Sequence, residues 1–149
     1  MKLSDFITSR NIMINLQANS KREVIEKMAE CMFKNGYLFN KDEFVDEVLE
    51  RESYTTTGIG NNLAIPHGKG SAVKEAAVIF AKTQIPIGWD SLDDKPVDTI
   101  FLMAVPVTDD GSGHLRLLAD LSGKLMDDLF VEAIRNENSV DRLADLLTK

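Results

Sequence analysis

Cysteine, tryptophan and histidine are scarce in this chain: it has one cysteine, one tryptophan and two histidines. A single cysteine closes no internal disulfide and builds no thiolate-rich metal site, so nothing calls for an oxidising compartment. Four prolines and nine glycines in 149 residues form no Pro/Gly/Ser-rich linker, and the chain carries neither an internal repeat nor a low-complexity segment. Long apolar runs are missing as well. The longest, Ile100 to Val107, is far below the ~18 residues of a membrane span. The opening MKLSDFITSRN meets charge too early to supply the apolar core of a secretory signal, and a cytoplasmic protein is expected. Positive charge is in deficit: 17 Lys and Arg against 24 Asp and Glu leave a net charge of -7. That balance repels nucleic-acid backbones and anionic membranes and favours basic partners.

What is present is ordinary for a globular domain, with 44% hydrophobic and 28% charged residues, too apolar for a disordered chain. Residues 1–149 are read as one domain with one core, able to bury roughly two thirds of its unfolded surface. Ile12 to Leu16 predicts a short strand, and Ser20 to Glu23 opens a helix with a capping-box pattern whose apolar stripe is Val24, Ile25, Met28, Ala29 and Met32. Gly36 is placed to end that helix. Asn40 starts a second helix with Phe44, Val45, Val48 and Leu49 on one face and Arg51 and Glu52 at its exit.

Tyr54 to Gly60 is loop-like in composition, and Leu63 to Ile65 is a short run stopped by Pro66. His67 then leaves through a Pro-His-Gly turn. Ala76 to Ala81 and Thr99 to Val107 are too continuously apolar for one-faced strands and predict strands covered on both sides. After the break at Asp109 to Gly113, a helix from His114 carries Leu115, Leu118, Ser122, Leu125, Met126 and Leu129. Ser139 caps a last helix with Leu143, Leu146 and Leu147 inward. The fold class is α/β, a single domain with a mixed β-sheet of about five strands flanked by helices on both faces. The sheet is mixed because the short links around Trp89 hold no crossover helix.

Both histidines stand beside glycine-rich breaks, where loops gather at the ends of buried strands. Position alone fits two readings of His67: a functional imidazole held by a stiff bend, or a loop histidine bonded to nearby backbone. Cys31 lies mid-helix beside Met28 and Met32 and reads as packing. Trp89 and Phe101 read as packing too, and Asp109 and Asp110 as solvated turn formers rather than a cation site. A metal-dependent hydrolase built on His67, His114 and one of those aspartates lacks any short His-x-His or His-Glu-x-x-His spacing.

Glu52, six further residues, and then Ile59-Gly60-Asn-Asn-Leu63-Ala64-Ile65-Pro66-His67-Gly68 form a pattern of many constrained types and spacings. It resembles the signature of type-2 enzyme IIA domains, the fructose/mannitol class of the bacterial phosphoenolpyruvate-dependent sugar phosphotransferase system. The resemblance covers nearly the whole chain.

The resemblance implies that His67 takes a phosphoryl group from the phosphocarrier HPr and passes it to a cysteine of the enzyme IIB component, which serves a membrane enzyme IIC. It implies no cofactor and no metal. A neutral imidazole, with an unperturbed pKa of roughly 6.5, is a competent nucleophile and leaving group near neutral pH. The other branch it implies is a nitrogen-type regulatory enzyme IIA, whose phosphorylation state controls protein binding.

His114, in His-Leu-x-x-Leu-x-x-Leu, resembles the family's second histidine. At a helix N-terminus it would sit among anion-binding amides, stay neutral and donate to a phosphoryl oxygen, or else simply cap the helix. Arg51 resembles the arginine of the family's Arg-Glu pair, its guanidinium fork suited to phosphoryl oxygens, with a solvated helix-end cation as the other reading. Glu52 orients either Arg51 or a loop amide. Thr56, Thr57, Gly58 and Gly60 offer hydroxyls and amides as a small anion nest. Asn62 stands where relatives often have glycine and Thr56 where serine is frequent. No residue names the sugar.

Overall fold

Helix ends in this chain are set by local chemistry. The computed structural model describes residues 3–108 and 111–148. After β1 (Ile12–Leu16), α1 (Lys21–Lys34) starts at Ser20, whose side chain accepts from the Glu23 amide at 3.1 Å. The Glu23 carboxylate reaches back to the Asn19 amide at 2.7 Å, one residue beyond the usual capping-box partner. At the other end Gly36 takes φ 85°, and the amides of Gly36 and Tyr37 bond the carbonyls of Phe33 and Met32 at 3.1 Å each. This is a Schellman closure, which an L side chain adopts only with strain. Asn40 caps α2 (Lys41–Tyr54) in the same way as Ser20, accepting from the Glu43 amide at 3.0 Å.

The remaining elements are β2 (Gly58–Gly60), β3 (Leu63–Ala64), β4 (His67–Gly70), β5 (Ala77–Ile87), β6 (Val97–Pro106), α3 (Ser112–Leu125), α4 (Asp128–Asn136) and α5 (Val140–Thr148). They form a mixed sheet of six strands, in the order β1-β5-β6-β3-β2 with β4 also on β6. β1 runs parallel to β5, β5 antiparallel to β6, and β3 and β4 parallel to β6. β3 and β4 keep the same offset along β6, pairing Leu63 with Thr99 and His67 with Met103, so they are one lane interrupted at Pro66, which has no amide hydrogen.

The continuous apolarity of β5 and β6 follows from their central position. Ala77, Ile79, Ile100 and Leu102 face α1 and α2, packing with Ile25, Met28, Phe44 and Val48. Val78, Phe80, Phe101 and Met103 face the other helices, with Leu117, Leu121, Ile134 and Leu143. Phe80 and Phe101 meet edge to face, ring centroids 5.0 Å apart. The expected α/β architecture with helices on both faces is present, and the sheet gains a strand from segments whose composition reads as loop. Gly58–Gly60 is β2, and His67 opens β4 instead of standing in a turn.

One expected helix is two. Asp127 accepts from the amides of Leu129 and Phe130 at 3.0 and 3.4 Å, ending the run after Leu125 and starting α4. The inward stripe of α3 is therefore Leu117, Leu121 and Leu125, whereas Leu115, Met126 and Leu129 are 62%, 84% and 79% exposed. Leucines crowd more than one face of α3, so a count of apolar positions does not choose between them. Among the described residues no helix is long and apolar enough to cross a membrane.

Candidate active site

The site rests on how closely α2 approaches β4. A Cβ on Gly68 would stand 2.9 Å from both Phe44 Cε1 and Val48 Cγ2, so any larger residue would push the helix away. At Gly70 a Cβ would overlap the Glu47 carboxylate. These two glycines, alternating with His67 and Lys69, let α2 close on the strand. The result is an open cleft of about 370 Å³ lined by Glu47, Glu50, Arg51, Tyr54, His67, Gly68 and Lys69.

His67 is half-buried, and its Nδ1 lies 3.3 Å from the Ile65 carbonyl. A carbonyl only accepts, so in this contact Nδ1 donates, and in a neutral ring the lone pair then falls on Nε2. The backbone two residues upstream is thus one anchor of the ring. Arg51 is half-buried in the same cleft and has no ion pair or hydrogen bond among the described residues. A guanidinium with no partner among the described residues, in one cleft with an imidazole, is suited to an anion carried on that ring.

His114 is the third residue of α3, after a left-handed Gly111 at φ 100°, and its side chain lies outside the described residues, as do Asp109 and Asp110. Leu117, one turn further on, belongs to the cluster that holds Met103, the ladder partner of His67. The start of α3 is thereby placed towards the β4 lane.

The expected anion nest is built differently. Thr56, Thr57, Gly58 and Gly60 do not line the cleft. The Thr57 hydroxyl donates to the Glu52 carboxylate and accepts from Trp89 Nε1 at 3.3 Å, leaving Thr57 5% exposed. The Thr56 hydroxyl donates to the Trp89 carbonyl at 3.2 Å and accepts from the Gly58 amide at 3.0 Å. Their polar groups are consumed internally because a buried loop must satisfy its own donors.

Glu52, with its side chain 4% exposed, takes the loop-amide option. It accepts from the Thr57 amide at 3.4 Å and pairs with Lys21 Nζ at 2.9 Å. Lys21 also stands 5.3 Å over the Trp89 ring. Glu52 therefore ties α1, α2 and the loop before β2 together. Glu52→Ala orphans the Thr57 hydroxyl and the Lys21 charge, and a loss of about 2 kcal/mol is expected in urea unfolding. A change of only a few tenths would show the strut to be ornamental.

Sequence reasoning did not single out Glu47, Glu50, Tyr54, Lys69 or the bonding role of Trp89. Helical spacing was the available signal for Glu47 with Arg51 and for Glu50 with Tyr54, and strand period for Lys69 with His67. A buried indole that needs an acceptor was the signal for Trp89. Among the described residues no three His, Cys, Asp or Glu side chains gather as for a metal ion.

Comparison with known proteins gives the family. The family described as "Phosphoenolpyruvate-dependent sugar phosphotransferase system, EIIA 2" matches residues 5–149. The chain is 32% identical to the PTS system 2-O-alpha-mannosyl-D-glycerate-specific EIIABC component of Escherichia coli strain K12, over 99% of this chain and only 22% of that relative's length. The crystal structure of nitrogen regulatory protein IIA-Ntr from Neisseria meningitidis superposes with a TM-score of 0.89 at 28% identity, covering 98% of this chain and 99% of that one. The complex of enzyme IIAMTL and phosphorylated enzyme IIBMTL from Escherichia coli superposes at 0.80 with 25% identity, covering 95% and 96%. With the match running from residue 5 to residue 149, across the cleft of His67 and Arg51, the chain belongs to the EIIA 2 family of the phosphoenolpyruvate-dependent sugar phosphotransferase system.

Proposed function

We propose that this chain is a phosphohistidine carrier in which His67 Nε2 accepts a phosphoryl group from HPr and delivers it to a cysteine of an enzyme IIB. The observation that carries the reading is the His67 ring, held through Nδ1 on the Ile65 carbonyl and sharing its cleft with Arg51. In acceptance, the Nε2 lone pair attacks phosphorus in line, the donor's N–P bond breaks, and its electron pair returns to the donor imidazole. Arg51 offsets charge on the transferring oxygens. In delivery a thiolate attacks and the His67 N–P bond breaks. His114, at the N-terminal end of α3, donates to a phosphoryl oxygen during that second step.

Family membership supports the carrier role, and the likeness to a IIA structure solved with phosphorylated IIB supports that partner. A regulatory reading has its own support, the close superposition on IIA-Ntr.

The test is transfer of labelled phosphoryl from phospho-HPr to the purified protein, then addition of candidate IIB proteins. Passage of label to IIB establishes the carrier. Stable label on His67 that no IIB discharges favours the regulator. His114→Ala is expected to keep acceptance and slow discharge to IIB by about tenfold, the equivalent of one hydrogen bond to a charged group. Equal discharge rates would remove His114 from the mechanism.

A further inference from the structure

Glu47 stands one helical turn before Arg51 and lines the same cleft, yet the two side chains form no ion pair among the described residues. That separation is unusual, since Glu followed four residues later by a cation is the favoured order for a helical pair. The Glu47 carboxylate is instead folded down onto Gly70, and its Oε2 is buried with no hydrogen-bond partner among the described residues. A buried carboxylate oxygen without a partner costs more when charged than when neutral.

Of the groups that face it, the like charges reinforce this and the cations oppose it. From its own helix come Glu43 and Glu50, both of like charge, with Arg51 along the cleft; from β4 come His67 and Lys69. Glu43 is held by the Ser71 hydroxyl at 3.0 Å. Burial first, and then the charges of Glu43 and Glu50, hold the Glu47 carboxyl above the usual carboxylate range.

We propose that Glu47 is a positioning residue that couples phosphorylation of His67 to uptake of a proton: neutral in the phosphorylated protein, and opposing that state when ionised. The inference rests on the carrier reading. A phosphoryl group brings up to two negative charges into a cleft that already holds this side chain. Like charge favours the neutral carboxyl, and by linkage a proton on Glu47 favours phosphoryl on His67 to the same extent. The chemical balance is unchanged from acceptance itself, one N–P bond made and one broken, with one additional proton drawn from solvent onto Glu47. The sign follows: the phosphorylated state is favoured at low pH and loses that advantage as pH rises through the raised pKa of Glu47.

The test measures, at equilibrium, how phosphoryl divides between phospho-HPr and the full-length protein from mildly acidic to mildly alkaline pH, for wild type and Glu47→Gln with the same donor. The wild-type partition is expected to fall relative to Glu47→Gln by on the order of tenfold as pH rises, the equivalent of one pKa unit of coupling. Superimposable profiles overturn the inference while leaving the carrier reading intact. Absence of label on wild type at every pH overturns both. Should Glu47→Gln fail to fold, carbon NMR of the Glu47 side chain in wild type decides: a higher pKa in the phosphorylated protein supports the coupling, and equal values refute it.

Discussion

His67→Ala is expected to abolish phosphoryl acceptance from phospho-HPr. Among the described residues no other imidazole lines the cleft to replace it. The variant should fold. His67 opens β4, and β4 is held by main-chain pairing to β6 through Met103, Ala104, Val105 and Pro106, which the side chain does not supply. A far-UV spectrum and unfolding temperature close to wild type, together with complete loss of label, are the expected pair of results. Full labelling of the folded variant would refute the assignment, and trapped label mapped to His114 would reassign the nucleophile.

The next largest effect belongs to Arg51. Its guanidinium lines the cleft and has no partner among the described residues, so its removal breaks no internal bond and should leave stability nearly unchanged. The whole consequence is expected in the transfer step. Arg51→Ala should slow single-turnover labelling of His67 by roughly 10²- to 10³-fold, the usual cost of one preorganised donor at developing charge. Arg51→Lys should recover only part of the rate, since an ammonium keeps the charge but lacks the two-pronged fork. A rate for Arg51→Ala within about threefold of wild type would make Arg51 a solvated helix-end cation, the other reading its position allows.

Much of this molecule was legible residue by residue. Ser20, Asn40 and Ser139 start helices where expected, Gly36 ends one, and the strands β1, β5 and β6 fall on the apolar runs that predict them. His67 was singled out by the motif around Pro66 and Arg51 by the Arg-Glu pair before it, and the two line one cleft. β2 and β4 escaped detection because short glycine-rich segments carry little strand propensity and pair only because β3 and β6 present ladders beside them. The break between α3 and α4 escaped because Asp127 acts as a cap only when the chain already turns there.

Sequence alone determined the α/β class, the resemblance to the family and the caps at Ser20, Asn40 and Ser139, because these are written in residue types and their short spacings. Tertiary structure alone decided which groups meet. It turned Thr57 towards Glu52 and Trp89, and it placed Glu47 in the cleft with a buried carboxylate oxygen that has no partner among the described residues. Those outcomes depend on the approach of α2 to β4 across Gly68 and Gly70, a distance set by packing between segments far apart in the chain.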